Sequence, residues 1–139
     1  MRVTLRALRR FGSESGAAAV EFALIMPIRF ILIFGIIDMG RLLFTANALT
    51  SAVREGARFA AVQTVEDHDA VEGHVLRILG AGGMVDTTQI LVVPAWDSAT
   101  ATVRIDSYPF NPITPFVNLV NLDEIHLSPS ATFRWERVP

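Results

Sequence analysis

The sequence predicts an α+β protein in which a long N-terminal transmembrane helical stem carries a small head of one helix and an antiparallel sheet of about three strands. Three observations lead to this prediction. A mostly apolar run of 21 residues covers 17–37. Apolar residues at helical spacing continue to about Val62, and alternating β-branched segments follow a glycine-rich break at 80–83. With 139 residues and no cysteine, the chain has the length of one domain and no disulfide.

Charge is segregated along the chain, although the net charge is only −2. All twelve basic residues are arginine. Residues 1–16 contain four of them and one acid, so this segment carries +3 and the rest of the chain carries −5. An acidic body argues against nucleic-acid binding. The basic flank predicts a cytoplasmic N-terminus and an extracytoplasmic body.

Residues 17–37 are long enough to cross a hydrocarbon core of about 30 Å as a helix. Two charged residues, Glu21 and Arg29, lie within this run. Eleven Phe, Leu or Ile residues between Phe22 and Ile37 contribute roughly −5 kcal/mol to insertion, against about +3 kcal/mol for a central arginine. The sequence therefore predicts a single membrane-spanning helix.

Gly16 directly precedes the apolar run, and Glu21 lies five residues after this glycine, inside the run. If the chain were cut after Gly16, Ala17 would be the first residue of the mature chain and Glu21 the fifth. A carboxylate in an apolar stretch is costly unless it is paired. The new amino group on Ala17 of a neighbouring subunit would be a natural partner, and such pairing would set the axial register of packed helices.

The stretch from Gly16 to Val62 resembles the TadE-like family, pseudopilins of the tight-adherence (Flp, type IVc) pilus system. The resembling features are Gly16, the run 19–24, Pro27, the segments 38–41 and 54–58, and, in the C-terminal half, 107–110, 113–115, 127–128 and 131–134. Two positions depart from the family pattern, because Arg29 stands where the family is apolar and Asp38 where glutamate is more usual.

The resemblance implies a division of the chain and a set of partners. Residues 1–16 would be a basic prepilin-type leader, 17–37 the transmembrane helix, 38–63 its extracytoplasmic continuation and 64–139 the head. The implied protein is a minor pseudopilin of the bacterial inner membrane that takes part in pilus assembly for surface attachment. Its partners would be a prepilin peptidase, other pilins or pseudopilins, pilus-assembly proteins of the inner membrane, and lipid. No cofactor, nucleic-acid partner or enzymatic activity is implied.

The resemblance also implies roles for individual residues. Gly16 and Ala17 would flank the processed bond, and Glu21 with Phe22 would set the register of assembly. For Arg29 three interpretations stay open: it snorkels, it marks a shorter span, or it pairs with Glu21 of a neighbour. Within one helix these two residues are eight positions, or roughly 12 Å, apart, so pairing inside one chain is strained.

Beyond the span, apolar residues recur every three or four positions and define one helix face. This stripe contains Leu42, Ala46, Leu49, Val53, Ala57 and Ala60. We expect Leu42, Leu49 and Val53 to support stem packing, with the stripe buried between stems that lie side by side. Gly35, Gly40 and Gly56 would allow close backbone approach in such a bundle.

The head begins with a second helix. Thr64 is its predicted N-cap, and the glycine run 80–83 its end. Strands are predicted over 89–96 and 101–108, joined by a hairpin turn at Asp97-Ser98.

The prolines from Pro109 onward break the sheet, and a short helix is predicted between Pro115 and Val120. A last strand places Leu127, Ala131, Phe133 and Trp135 on one face. The three strands are expected to pack on the stem and the second helix, and the stem must contribute to the core because a head of about 75 residues buries a thin core by itself.

Two rival functions fit the same pattern. One is an uncleaved single-pass envelope protein whose periplasmic head binds a partner or ligand; the other is a small periplasmic enzyme on a membrane anchor. His68 and Glu72 share a helix face but are interpreted as part of a solvated acidic helix start rather than a metal site. His126 is isolated in the sequence, and no nucleophile elbow is visible. We therefore expect no enzyme and no metal site.

Overall fold

The computed structural model describes residues 14–83, 85–114 and 125–135. Over these ranges the chain forms helices α1 (Glu14–Ala61) and α2 (His68–Gly82), a 3-10 helix (Thr87–Gln89) and strands β1 (Leu91–Trp96), β2 (Thr100–Asp106), β3 (Tyr108–Pro109), β4 (His126–Leu127) and β5 (Ser130–Arg134). β1, β2 and β5 form one antiparallel sheet in the order β1-β2-β5, and β3 pairs with β4. The predicted α+β arrangement of a long apolar helix, a second helix and a three-stranded sheet is confirmed.

Helix α1 is one continuous element of 48 residues, about 72 Å long. It is long and apolar enough to be a candidate membrane span, and the most apolar part of it is not buried inside the protein. Large apolar side chains such as Phe22, Leu32 and Ile36 are 57%, 61% and 72% exposed. An apolar surface of this extent requires lipid or partner helices around it.

The second half of α1 is covered by the head of the same chain. Leu49, Val53 and Ala57 are completely buried, and they share one core with Val75 of α2 and Val103 of β2. The head therefore packs on the stem, as expected from its small size. The part of the apolar stripe from Leu49 to Ala60 was also expected to be buried between neighbouring stems, and in this structure the head of the same chain covers it.

Helix α2 begins three residues later than predicted. Its N-cap is Asp67, whose carboxylate accepts a hydrogen bond from the Ala70 amide at 3.0 Å, so the prediction of Thr64 is wrong. This start lets Val71 and Val75 face α1, where both are fully buried. The predicted end in the glycine run is confirmed: Gly83 caps the helix in the left-handed conformation, with a φ of 65°.

The predicted hairpin is confirmed. β1 and β2 pair from Leu91 with Asp106 to Trp96 with Ala101, and the Asp97 amide donates to the Thr100 carbonyl at 2.8 Å.

Both strands are shorter than predicted. β1 starts at Leu91 because the preceding residues form the 3-10 helix, which Asp86 caps. β2 ends at Asp106 because Ser107 takes a φ of 50°, which turns the chain before Tyr108 and Pro109 form their own short strand.

The last predicted strand is divided into β4 and β5. Leu127 and Ala131 pack against the core and Trp135 is buried, as expected for a shared inward face, but Phe133 is 40% exposed. The predicted helix between Pro115 and Val120 lies outside the described residues.

Gly56 of α1 lies directly against Val75 of α2. A Cβ atom at this position would lie 2.3 Å from Val75 Cγ2. We predict that Gly56→Ala destabilises the protein by about 1–3 kcal/mol, because overpacking outweighs the roughly 1 kcal/mol gained in helix propensity. Thermal unfolding of the full chain in detergent micelles, followed by tryptophan fluorescence, would measure this loss.

Gly73→Ala is the matched control, because Gly73 is exposed on α2 and its added Cβ would meet nothing within 4 Å. Val75→Ala in the Gly56→Ala background should restore part of the loss by making room. Equal unfolding temperatures for the two alanine variants would contradict the close-packing argument.

Candidate assembly and membrane surface of the stem

The predicted processing and register residues all lie on the exposed first half of α1. Gly16, Ala17, Glu21, Phe22 and Arg29 are exposed, and a Cβ at Gly16 would meet no atom within 4 Å. Among the described residues, no hydrogen bond or ion pair joins Glu21 to Arg29 in the same chain. The structure therefore places these residues on one accessible surface and brings none of them together within the chain.

The three predicted stem-packing residues lie further along α1. Leu49 and Val53 are fully buried and Leu42 is half-buried. Leu49 and Val53 belong to the core that α1 shares with the head of the same chain, so in this structure they fix the head to the stem.

Asp38 anchors the head to the stem directly after the predicted span. Its Oδ1 accepts a hydrogen bond from the Ile113 amide at 2.9 Å, and its Oδ2 accepts one from the Thr114 amide at 2.9 Å. The Thr114 hydroxyl donates to the same Oδ2. One carboxylate thus holds two consecutive backbone amides and a side chain, and we call the segment 110–114 the anchored loop.

Arg41, one turn further along α1, completes this contact. Its Nη1 lies 3.5 Å from Asp38 Oδ1 and donates to the Asn111 carbonyl at 3.4 Å. The guanidinium also lies 5.7 Å from the centre of the Phe110 ring, within the range of a cation–π contact. Both ends of the anchored loop are therefore tied to α1.

The electrostatic environment keeps the Asp38 carboxylate ionised. Burial raises its pKa, but the hydrogen bonds from Thr114 and Ile113 and the charge of Arg41 together lower that pKa below the ordinary value for aspartate. Because the pKa is lower in the folded protein, the stabilisation is present above the ordinary aspartate range and is lost as the pH falls through the folded pKa.

The two halves of this anchor were visible in the sequence only as separate pieces. The predicted family resemblance includes both 38–41 and 113–115, but it does not say that these segments touch. One physical signal was available: a carboxylate next to a long apolar helix requires donors. Thr114 precedes Pro115, which disfavours the helical conformation at Thr114 and leaves its amide free for such a bond.

Two tryptophans attach the head at the other end of α1. The indole of Trp96 donates to the Ala60 carbonyl at 3.3 Å, and that of Trp135 donates to the Gln63 carbonyl at 2.9 Å. Ala60 lies in the last turn of α1 and Gln63 two residues beyond its end, so these bonds hold the end of the stem to the head. From Asp38 to Ala60 the head follows about 33 Å of α1.

A polar cavity of about 190 Å³ lies between the head and α1 beyond the anchored loop. It is lined by Arg41, Thr45, Asp86, Gln89, Tyr108, Phe110 and Asn111. The Asp86 carboxylate already accepts hydrogen bonds from the Thr88 amide and hydroxyl, which lower its pKa below the ordinary value. The described lining residues combine several donors with the Asp86 carboxylate, and none of them is a nucleophile paired with a base.

The histidines of the head contact side chains of the head and of α1. His126, isolated in the sequence, shares a hydrogen bond of 2.9 Å with the Ser107 hydroxyl. The ring of His68 meets Trp96 edge-on at 4.8 Å, and that of His74 stacks on Phe59 at 4.4 Å. These contacts support the head and form no common site.

Among the described residues, a long apolar helix with an exposed first half and a small α+β head on its second half provides one candidate membrane span. Residues 16–58 match the family model described as TadE-like protein, which confirms the resemblance predicted for this part of the chain. The match covers the stem, so the stem of this chain is similar to that of TadE-like proteins. The match begins at Gly16 and includes Asp38 and Gly56. No curated protein and no solved structure matches the chain.

We predict that Asp38→Ala releases the anchored loop. Hydrogen bonds to a charged group contribute about 1.5–3 kcal/mol each, so amide hydrogen exchange at Ile113 and Thr114 should accelerate by at least about tenfold. Mass spectrometry of the full chain in detergent micelles would measure this exchange.

Thr114→Val is the matched comparison, because it removes the hydroxyl and leaves both amide bonds. It should accelerate exchange less than Asp38→Ala does. Unchanged exchange in Asp38→Ala would show that the anchored loop is held by other contacts.

Proposed function

We propose that this protein is a prepilin-like minor pseudopilin that is processed after Gly16 and takes part in assembling a tight-adherence type IVc pilus for surface attachment. In this proposal residues 17–37 are inserted in the bacterial inner membrane, the N-terminus is cytoplasmic and the head is periplasmic. The prepilin peptidase and other pilins or pseudopilins are its partners.

The observation that supports this proposal best is the position of the family match. The match starts at Gly16, the residue after which the sequence predicts cleavage, and α1 continues from there without interruption. Cleavage at this point would remove the basic leader and keep the whole apolar helix, as helix-to-helix assembly requires.

The exposed first half of α1 supports the assembly step. Its apolar side chains need a surrounding surface, and neighbouring stems supply one when a subunit leaves the lipid. In this arrangement Glu21 of one subunit meets the amino group of Ala17 on the next, and Phe22 packs beside that pair. A subunit out of register leaves the carboxylate unpaired in an apolar environment, which is penalised.

Processing can be tested directly. In cells that contain the prepilin peptidase of the system, we expect the mature chain to begin at Ala17, with its first sixteen residues removed. Gly16→Val should remain uncut, because a branched side chain at the cleaved position blocks the peptidase. N-terminal sequencing and the intact mass of the purified protein would measure both outcomes.

Gly35→Val is the matched control, since Gly35 is another glycine of α1 at which an added Cβ meets nothing within 4 Å. It should be cut like the unaltered chain. An intact Met1 in the presence of the peptidase would contradict the proposal and favour the uncleaved envelope protein.

If Glu21 sets the register between subunits, its substitution should impair assembly and leave processing unchanged. Glu21→Gln should be cut normally but reduce the amount of pili by at least about tenfold, the effect of losing roughly 1.4 kcal/mol of pairing energy. Immunoblots of sheared pili, compared with the membrane-bound mature protein, would measure the two steps separately.

Variants of Arg29 would show whether a second charged residue of the span contributes to pilus assembly. If Arg29 pairs with Glu21 of a neighbour, Arg29→Leu should reduce assembly, whereas Arg29→Lys retains the charge and much of the assembly. Undiminished assembly in Arg29→Leu would argue against a required pair. Normal assembly in Glu21→Gln would contradict the register role itself.

A further inference from the structure

An exposed isoleucine is held at the level where α1 leaves the predicted span. Ile113 is 61% exposed, and its amide donates to Asp38 at 2.9 Å. Asp38 directly follows Ile37, the last residue of the apolar run. Because the carboxylate fixes the backbone of the anchored loop, the side chain of Ile113 stays within about one helical turn of the end of the span.

On its uncovered side, α1 remains apolar beyond Asp38. Met39, Leu43 and Phe44 are 56%, 54% and 47% exposed, whereas Thr45 on the covered side is buried. The apolar outer surface thus continues for one to two turns past the point where the anchored loop attaches. A bilayer that covers this surface reaches the level of Ile113 on the other side of the helix.

Polar groups follow in the same direction. Arg41 lies one turn beyond Asp38, and the polar cavity that it lines with Thr45 and Asn111 comes next. Apolar, cationic and then polar groups, in this order, match the passage from hydrocarbon to the phosphate layer and to water.

We propose that the head rests on the bilayer, with Ile113 inserted at the hydrocarbon boundary and Arg41 at the depth of the phosphates. The proposal relies on the membrane insertion of residues 17–37 but not on processing or pilus assembly. A phospholipid bilayer is the partner, because the surface is continuous with the span and rigidly attached to it through Asp38. The head then meets the membrane at two places, the stem and the anchored loop, which fixes its tilt.

The absence of cysteine from the chain permits a direct test. The full chain with Ile113→Cys is labelled with a polarity-sensitive fluorophore and inserted at low density into phosphatidylethanolamine–phosphatidylglycerol vesicles, with or without brominated acyl chains. Leu32→Cys marks the span, and Ser98→Cys marks the hairpin beside Trp96 at the far end of the head. All three positions are exposed, so the label replaces no buried side chain.

We expect bromine to quench the label strongly at 32, to an intermediate degree at 113 and negligibly at 98. The label at 113 should also emit at a shorter wavelength than the label at 98. Unchanged fluorescence of the two tryptophans would show that each labelled chain is folded.

Two outcomes overturn the inference in different ways. Quenching at 32 with no more quenching at 113 than at 98 would show an inserted stem whose head does not touch lipid. No quenching at 32 would contradict the membrane insertion under the proposed function, and this inference would fail with it.

Discussion

The burial of one face of α1 by the head is the interaction on which this structure depends. Leu49, Val53 and Ala57 of α1 are completely buried against α2, β2 and β5. A three-stranded sheet and one helix of 15 residues enclose little apolar surface by themselves. Each large side chain buried from α1 contributes about 1.5–3 kcal/mol, so the stem supplies an essential part of the core of the head. The stem and the head therefore form one folding unit beyond Asp38.

This shared core divides α1 into surfaces with different partners. Along 38–61 one face belongs to the head, and the opposite face is free; along 17–37 the described side chains are exposed on all sides except that of Met26, which is half-buried. The glycines follow the same division, because a Cβ at Gly56 would collide with Val75 while one at Gly35 or Gly40 would meet nothing. Contacts with other stems can thus use the span and the free face, but not the stripe that the head covers.

The sequence predicted those features that depend on local signals. A continuous apolar run predicts a span, helical periodicity predicts an apolar face, and Asp97 between alternating segments predicts a hairpin. Periodicity alone does not say what covers that face; the small size of the head indicated that the stem contributes to its core, but not that Leu49 and Val53 do so. The bonds of Asp38 join residues 75 and 76 positions apart, and no local pattern contains both ends. Thr64 and Asp67 are both residue types that favour the N-cap position. The helix starts after Asp67, where it can bury Val71 against α1.

The proposed cleavage after Gly16 would couple processing to assembly through one ion pair. If the chain is cut after Gly16, the new amino group of Ala17 and the carboxylate of Glu21 would be four residues apart and therefore on the same helix face. Under the proposed function, neighbouring subunits in register would meet through this face, so one cut would both remove the basic leader and create the amino group that Glu21 of a neighbour needs as its partner.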